Sequence, residues 1–270
     1  MIKKEIARIA YQKEIYTNIY SMWIDTDIAS SARAGQFISV FIKDKSKLLP
    51  RPISICQIDR KAKSIRIVYR VTGKNTGTYE LSKMRPGNKI EIMGPLGNGF
   101  PLDTNKDKKV LVVGGGIGIP PLVQLAAVLA EIGQDVHMVM GYKHWLYLTE
   151  ELRAFGRLSV ATEAEYITRV LSKVSECITA GNVMDVINKL NIVADIIYAC
   201  GPTPMLKAVS EYGKEIGATC YISIEEKMAC GIGACLACVC NTTKKDQHSN
   251  LYKQRVCKEG PVFLSTEVVL

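Results

Sequence analysis

The chain has 270 residues, 47% of them hydrophobic, with a formal net charge of +9. That is enough for two ordinary cores plus an appendage. No run in the chain reaches the roughly 18 uninterrupted apolar residues that a helical membrane span needs, so none is expected. The stretch from Met1 to Ile24 alternates charge with apolar residues and lacks an apolar core or small-residue cleavage site, so no signal peptide is expected. Residues 1–103 hold 18 Lys and Arg against 9 Asp and Glu, whereas 104–219 sum to −1 and 220–270 to +1. The basic excess therefore belongs to the first segment, where a phosphate-bearing cofactor or acidic partner could use it, although most of it serves as a solvated face. The basic residues are scattered and carry no recognised motif, so no nucleic-acid partner is expected. Nine cysteines, an odd number concentrated in one cluster, suit a reducing cytoplasm better than a disulfide scaffold.

From the N-terminus, short apolar stretches at Phe37 to Ile42, Ser64 to Val71 and Lys89 to Met93, separated by turn residues, predict an antiparallel barrel or sandwich over residues 1–103. Within it, Arg51 to Ile55 (RPISI) sets a cation and a hydroxyl beside a rigid proline, and Gly73 to Thr78 (GKNTGT) is a turn rich in backbone donors. From the residues alone, each is as readily a hairpin as a cofactor contact. Asp103 to Lys109 (DTNKDKK) reads as a polar linker.

Beyond it the period changes. Val110 to Val113, Val136 to Gly141, Leu158 to Ala161 and Ile196 to Cys200 read as strands, with a helix at Leu122 to Ile132 and further helical stretches between. Such alternation predicts a parallel sheet with helices on both faces over residues 104–219. Lys109 to Leu122 (KVLVVGGGIGIPPL) runs from strand through Gly114, Gly115, Gly116 and Gly118 to a helix opened by two prolines. Glycines there let backbone approach a pyrophosphate at the positive end of a helix. The run is not G-x-G-x-x-G, because Ile119 or Pro121 stands where the last glycine belongs, and a plain tight turn is the alternative. Ala199 to Met205 (ACGPTPM) ends a second strand in Gly201 and Pro202. Both turns are expected at the carboxyl edge of the sheet, where ligands bind.

After an apolar run at Cys220 to Ile224, residues 220–270 hold Cys230, Cys235, Cys238 and Cys257, a C-x4-C-x2-C spacing with a distant fourth that matches plant-type 2Fe-2S proteins. Small residues at Gly231 to Ala234 let a loop fold tightly round an anionic cluster. A zinc site is the alternative, but only one C-x2-C knuckle is present and no histidine stands among the cysteines. Cys240 competes with Cys257 for the fourth place. The distant fourth cysteine of the plant-type spacing makes Cys257 the preferred ligand, and Cys240 reads as a buried small apolar residue.

Taken together, RPISI, VYRV (Val68 to Val71), GKNTGT, MGPLGNGF (Met93 to Phe100), GGGIGIPP, ACGPTPM and ACGIGACLAC resemble, in order from about residue 35 to residue 265, the electron transfer subunits of class B dihydroorotate dehydrogenases, within the ferredoxin reductase-like flavoproteins. The resemblance implies a multidomain β plus α/β protein: an FAD-binding β-barrel (1–103), an NAD-binding α/β domain (104–219) and a small 2Fe-2S domain (220–270). It assigns FAD contacts to Arg51, Pro52, Ile53, Ser54, Val68, Tyr69, Arg70, Gly77 and Thr78, with both arginines on the diphosphate and Ser54 by the flavin ring. Two extra residues separate Gly73 from Gly77, which makes Thr76 a rival for the hydroxyl role, but spacing to Gly87 favours Gly77 and Thr78. Nicotinamide nucleotide is assigned to Gly115, Gly116, Ile117, Gly118, Cys200, Gly201, Pro202 and Met205, and the cluster to Cys230, Cys235, Cys238 and Cys257. No catalytic acid or base is expected, since the cofactors carry the chemistry.

Ala161 to Ile167 (ATEAEYI) departs from the Gly- and Ser-containing stretch of related reductases. No acidic residue for the ribose is evident where Gly141 to Trp145 (GYKHW) offers Lys143 and His144, so NAD is chosen on the resemblance alone. The resemblance further implies an FMN-containing catalytic partner that oxidises dihydroorotate, a heterotetramer of two of each chain, a place in UMP synthesis in the cytoplasm, and no membrane partner. Its rivals are reductase subunits serving glutamate synthase- or hydrogenase-type partners and, from another class, a zinc-bound scaffold that keeps the fold without redox turnover.

Overall fold

The computed structural model describes residues 2–44, 46–144, 146–164, 177–246 and 250–270. Six antiparallel strands close into a barrel in the order β1-β2-β5-β4-β3-β6: β1 (Lys3–Tyr16), β2 (Ile19–Asp25), β3 (Phe37–Phe41), β4 (Arg51–Asp59), β5 (Ser64–Arg70) and β6 (Lys89–Leu96). Closure leaves no free sheet edge. Ile9, Met22, Ile38, Ile55, Ile67 and Ile92 fill the interior and are fully buried. The N-terminal alternation of charge and apolar residues is the strand pair β1 and β2, whose register runs from Arg8 opposite Asp25 to Tyr16 opposite Ile19. A short helix, α1 (Gly77–Ser82), bridges β5 and β6.

The second layer is a seven-stranded sheet in the order β10-β9-β8-β7-β11-β12-β15. Its strands are β7 (Lys109–Gly115), β8 (Asp135–Tyr142), β9 (Arg157–Thr162), β10 (Cys177–Ala180), β11 (Ile196–Cys200), β12 (Thr219–Ser223) and β15 (Val262–Leu264). All neighbours are parallel except β12 with β15. The apolar runs on these strands are buried on both faces, as parallel strands require. Along β7, Val110 and Val112 point into one core with α2 (Pro120–Glu131) and α3 (Thr149–Arg153). Leu111 and Val113 point into the other, with α4 (Val183–Lys189) and α5 (Thr203–Glu215). That period of two produces the helices on both faces.

Residue 220 falls inside β12, so the sheet continues through it, and β15 returns from the C-terminal segment to pair with β12. Between them lie the cysteine loop and a two-stranded ribbon of β13 (Val239–Asn241) and β14 (Lys253–Arg255). The polar stretch after Asp103 is an ordered turn. Its carboxylate accepts hydrogen bonds from Asn105 N (2.9 Å) and Lys108 Nζ (2.7 Å), and Gln134 Nε2 donates to Asp103 O at 2.8 Å. The stretch Ala161 to Ile167 runs past residue 164, so its later positions lie outside the described residues, as does Trp145 of GYKHW. No helix among the described residues is long and apolar enough to cross a membrane.

Candidate functional site

Three surfaces meet where the barrel, the sheet and the cysteine loop converge. On the barrel, RPISI opens β4 and VYR closes β5. Alternation along β4 sends Ile53 into the barrel core and leaves Ser54 half-buried and Pro52 exposed. Val68 is buried against the sheet domain. The Tyr69 side chain faces the barrel interior, where it stacks on Tyr20 and donates to Gln12 Oε1 at 3.0 Å. Arg70 is exposed at the strand end. The Arg51 guanidinium lies over Gly77: a Cβ added there would stand 2.4 Å from Arg51 Nε. Only glycine admits this approach. Thr76 caps α1, accepting from Tyr79 N (3.2 Å) and donating to Gly73 O (2.8 Å), so its hydroxyl is committed locally. The Thr78 hydroxyl is engaged in the same turn, accepting from Thr72 N (3.4 Å) and lying 3.1 Å from Thr76 Oγ1.

The glycine turns occupy the point where the strand order reverses, between β7 and β11, the crevice in which open α/β sheets bind ligands. Gly114 pairs with Cys200, so the two turns leave the sheet side by side. They pack without room for side chains: a Cβ on Gly118 would stand 2.4 Å from Cys200 O, and one on Gly115 would stand 2.7 Å from Met205 Sδ. Gly201 likewise abuts Met205 Cε and Gly115 N. Gly116 has φ +53°, and Pro120 and Pro121 open α2 directly behind it. Burial pushes the Cys200 thiol up to about 12, against a hydrogen bond with Ser223, and Glu225 lies near enough to push the same way as burial. Neither Ser223 nor Glu225 carried a signal in the sequence, because both reach Cys200 through the β11/β12 pairing.

Cys257, which follows β14, meets the three cysteines of the loop, and the four come together as two pairs. Cys230 N donates to Cys235 Sγ (3.5 Å) and Cys235 N to Cys230 Sγ (3.4 Å), while Cys257 N donates to Cys238 Sγ (3.4 Å). Gly233 N, donating to Cys257 Sγ at 3.1 Å, ties one pair to the other. Ile232 N (3.5 Å) and Ala234 N (3.3 Å) also point at Cys230 Sγ. Among the described residues, no three His, Cys, Asp or Glu side chains gather on a single point. A two-iron cluster asks instead for two thiolates on each iron and hydrogen bonds to the sulfurs. The donor set therefore fits a 2Fe-2S group. Partial burial acts to raise the Cys230 pKa, but the backbone donors outweigh it and bring the thiol down to about 6. Burial, followed by the neighbouring Cys238, pushes Cys257 up to about 12. Cys240, paired with Gln254 in the β13/β14 ribbon, lines a separate cavity of about 380 Å³ beside Pro202 and Leu206.

The loop rests on the barrel. Gly231, with φ +71°, lies against Ser39 and Leu96; a Cβ there would stand 2.8 Å from Ser39 Oγ. Ser39 pairs with Pro52 of RPISI. Asn98, within GPLGNGF, donates through Nδ2 to Glu259 O (2.9 Å) and Lys258 O (3.2 Å), and its backbone N donates to Gly260 O at 2.6 Å. These clamps escaped sequence reasoning because they join segments about 160 residues apart.

Residues 225–269 match the family model for the iron-sulfur cluster binding domain of dihydroorotate dehydrogenase B. The chain is 41% identical over 278 residues to the dihydroorotate dehydrogenase B (NAD(+)) electron transfer subunit of Geobacillus sp. (strain WCH70), covering 100% of both chains. It is 38% identical over 275 residues, again with full coverage, to the protein of that name from Streptococcus mutans. This chain belongs to the dihydroorotate dehydrogenase B electron transfer subunit family. A solved NADH-dependent reduced ferredoxin-NADP oxidoreductase superposes with a TM-score of 0.83 at 27% identity, covering 98% of this chain and 90% of that one. A ferredoxin NADP+ reductase from Neisseria gonorrhoeae, at 17% identity, 80% and 92% coverage and TM-score 0.62, shares the fold. The expected barrel, parallel α/β sheet and iron-sulfur segment are thus borne out, as is the resemblance.

Proposed function

We propose that this chain transfers electrons between an FMN-containing, dihydroorotate-oxidising partner and NAD, with a 2Fe-2S cluster and FAD as its resident groups, in the cytoplasmic synthesis of UMP. One observation carries the reading: the cysteine loop touches Ser39, one interstrand spacing of about 4.8 Å from Pro52 of RPISI. The thiolate loop and the candidate flavin strand therefore share a wall. When bound, the cluster supplies single-electron transfer and the flavin the conversion to hydride transfer.

The chain's own residues bind, orient and exclude water. Arg51 and Arg70 would hold the diphosphate with paired donors, Gly77 and Thr78 would face it across α1, and Ser54 would lie beside the ring. Pro52 and Ile53 fix the strand that carries these groups, and the backbone of Val68 and Tyr69 sets the entry of Arg70. Gly115 to Gly118, with Ile117 among them, and Cys200, Gly201, Pro202 and Met205 would form the two walls of the nicotinamide nucleotide crevice. Cys230, Cys235, Cys238 and Cys257 would ligate the irons. The three expected units, 1–103, 104–219 and 220–270, then each carry one group, and the complex contains two of each subunit.

The test is reconstitution. Anaerobically purified chain mixed with the co-purifying catalytic subunit should form NADH from dihydroorotate and NAD+, and neither chain should do so alone. A companion that does not oxidise dihydroorotate would remove the substrate assignment.

A further inference from the structure

Gly116 at the nucleotide turn and Arg70 at the barrel's strand end belong to different layers of the molecule, and one side chain joins them. Tyr147, between β8 and α3, donates its hydroxyl to Gly116 O at 2.6 Å. The Arg70 guanidinium lies close enough to this hydroxyl to lower its pKa, and Arg70 Nη2 lies 3.6 Å from where a Gly116 Cβ would stand. The phenol is buried. It is held from behind: Tyr142 packs edge-on against its ring at 5.4 Å, and Tyr142 Oη donates to Tyr147 O at 2.9 Å. Leu148, with φ +61°, turns the chain immediately after it into α3. Burial pushes the phenol up to about 12, partly offset by Arg70, so at neutral pH it remains a proton donor toward the carbonyl.

We propose that Tyr147 is a positioning residue that registers the nicotinamide-binding glycine turn against the flavin-side arginine. The proposal rests on reading those turns as the nicotinamide and flavin sites. Gly116 has no side chain and a left-handed φ, and its carbonyl accepts from Ile119 N (3.1 Å) as well as from the Tyr147 hydroxyl. A hydroxyl fixed on its carbonyl helps set the direction of the Ile117 N–H, which shares that peptide plane. Because the Arg70 guanidinium lies beside both that hydroxyl and Gly116, the orientation of the turn is tied to the arginine. Two ligands whose protein groups share one hydrogen-bonded hinge become energetically coupled.

The test uses the full-length protein loaded with FAD and cluster, titrated with NAD+ through the flavin absorbance and assayed for dye reduction by NADH. Tyr147→Phe keeps the ring packed on Tyr142 and removes only the hydroxyl. It should raise the Kd for NAD+ and the KM for NADH about tenfold, with kcat at saturation changed by less than about twofold and FAD content and cluster absorption intact. Glu151→Gln breaks the Arg66–Glu151 ion pair (3.3 Å) at the same layer junction without touching the hinge, and should leave both constants within about twofold of wild type. An unaltered NAD+ Kd in Tyr147→Phe, reloaded with FAD if necessary, overturns the proposal, as does an equal rise in Glu151→Gln. A wild-type protein that retains FAD but does not bind NAD+, or retains neither, overturns the underlying reading and the proposal with it.

Discussion

A thiol becomes a ligand through its surroundings, and backbone donors distinguish the cysteines of this loop. Cys257 Sγ accepts from Gly233 N inside the loop, whereas Cys240 lies in the ribbon and lines another cavity. Cys257→Ser should therefore abolish the cluster, read as iron and sulfide content and as loss of the paramagnetic signal after reduction. Cys240→Ser should keep both. The glycines separate in the same way. Gly118→Ala forces a Cβ against the backbone of Cys200 and Gly201, which cannot move aside, and should cost about 1–3 kcal/mol of stability in urea unfolding. Gly77→Ala meets only the Arg51 side chain, which can swing away. Stability should barely change while FAD affinity falls about tenfold, as a displaced charge-assisted contact would cause. The cysteines were legible in the sequence because ligand spacing along one loop is local. Tyr147, Asn98, Ser223 and Glu225 were not, because each acts on a residue that only the fold brings near.

Among elements, the parallel strands were legible because burial on both faces leaves continuous apolar runs such as Val110 to Val113. The pair β1 and β2 was harder to read. Exposed positions such as Arg8 and Lys13 interrupt β1, leaving a weak apolar period. β15, three residues long, belongs to the central sheet only through its pairing with β12. The barrel and α2 are joined by a polar contact that no periodicity reveals: the buried Gln124 accepts from Ile58 N at 2.6 Å. Gln124→Leu leaves that N–H without its acceptor and should destabilise the protein by about 1–3 kcal/mol, measured by chemical denaturation.

For the whole molecule, the arrangement places the cysteine segment against both other layers. Phe37 and Leu96 of the barrel share a core with Cys238, Cys257 and the α4/α5 face of the sheet. The barrel's opposite contact, through Val68 and Phe100, joins the α2 face. Loosening the Asn98 clamp should thus free the cluster segment first. Asn98→Ala is expected to lose iron several-fold faster on chelator challenge, with FAD content unchanged. Membership in a family of electron transfer subunits then has a physical meaning in this chain: the cysteine segment packs against both the barrel and the sheet instead of being tethered by linkers. The most direct check is electron paramagnetic resonance of the anaerobic, FAD-loaded protein after addition of NADH alone. The expected result is a reduced 2Fe-2S signal accompanied by bleaching of the flavin band. Zinc in place of iron, or a flavin that bleaches while the cluster stays silent to NADH yet responds to dithionite, would contradict the shared path.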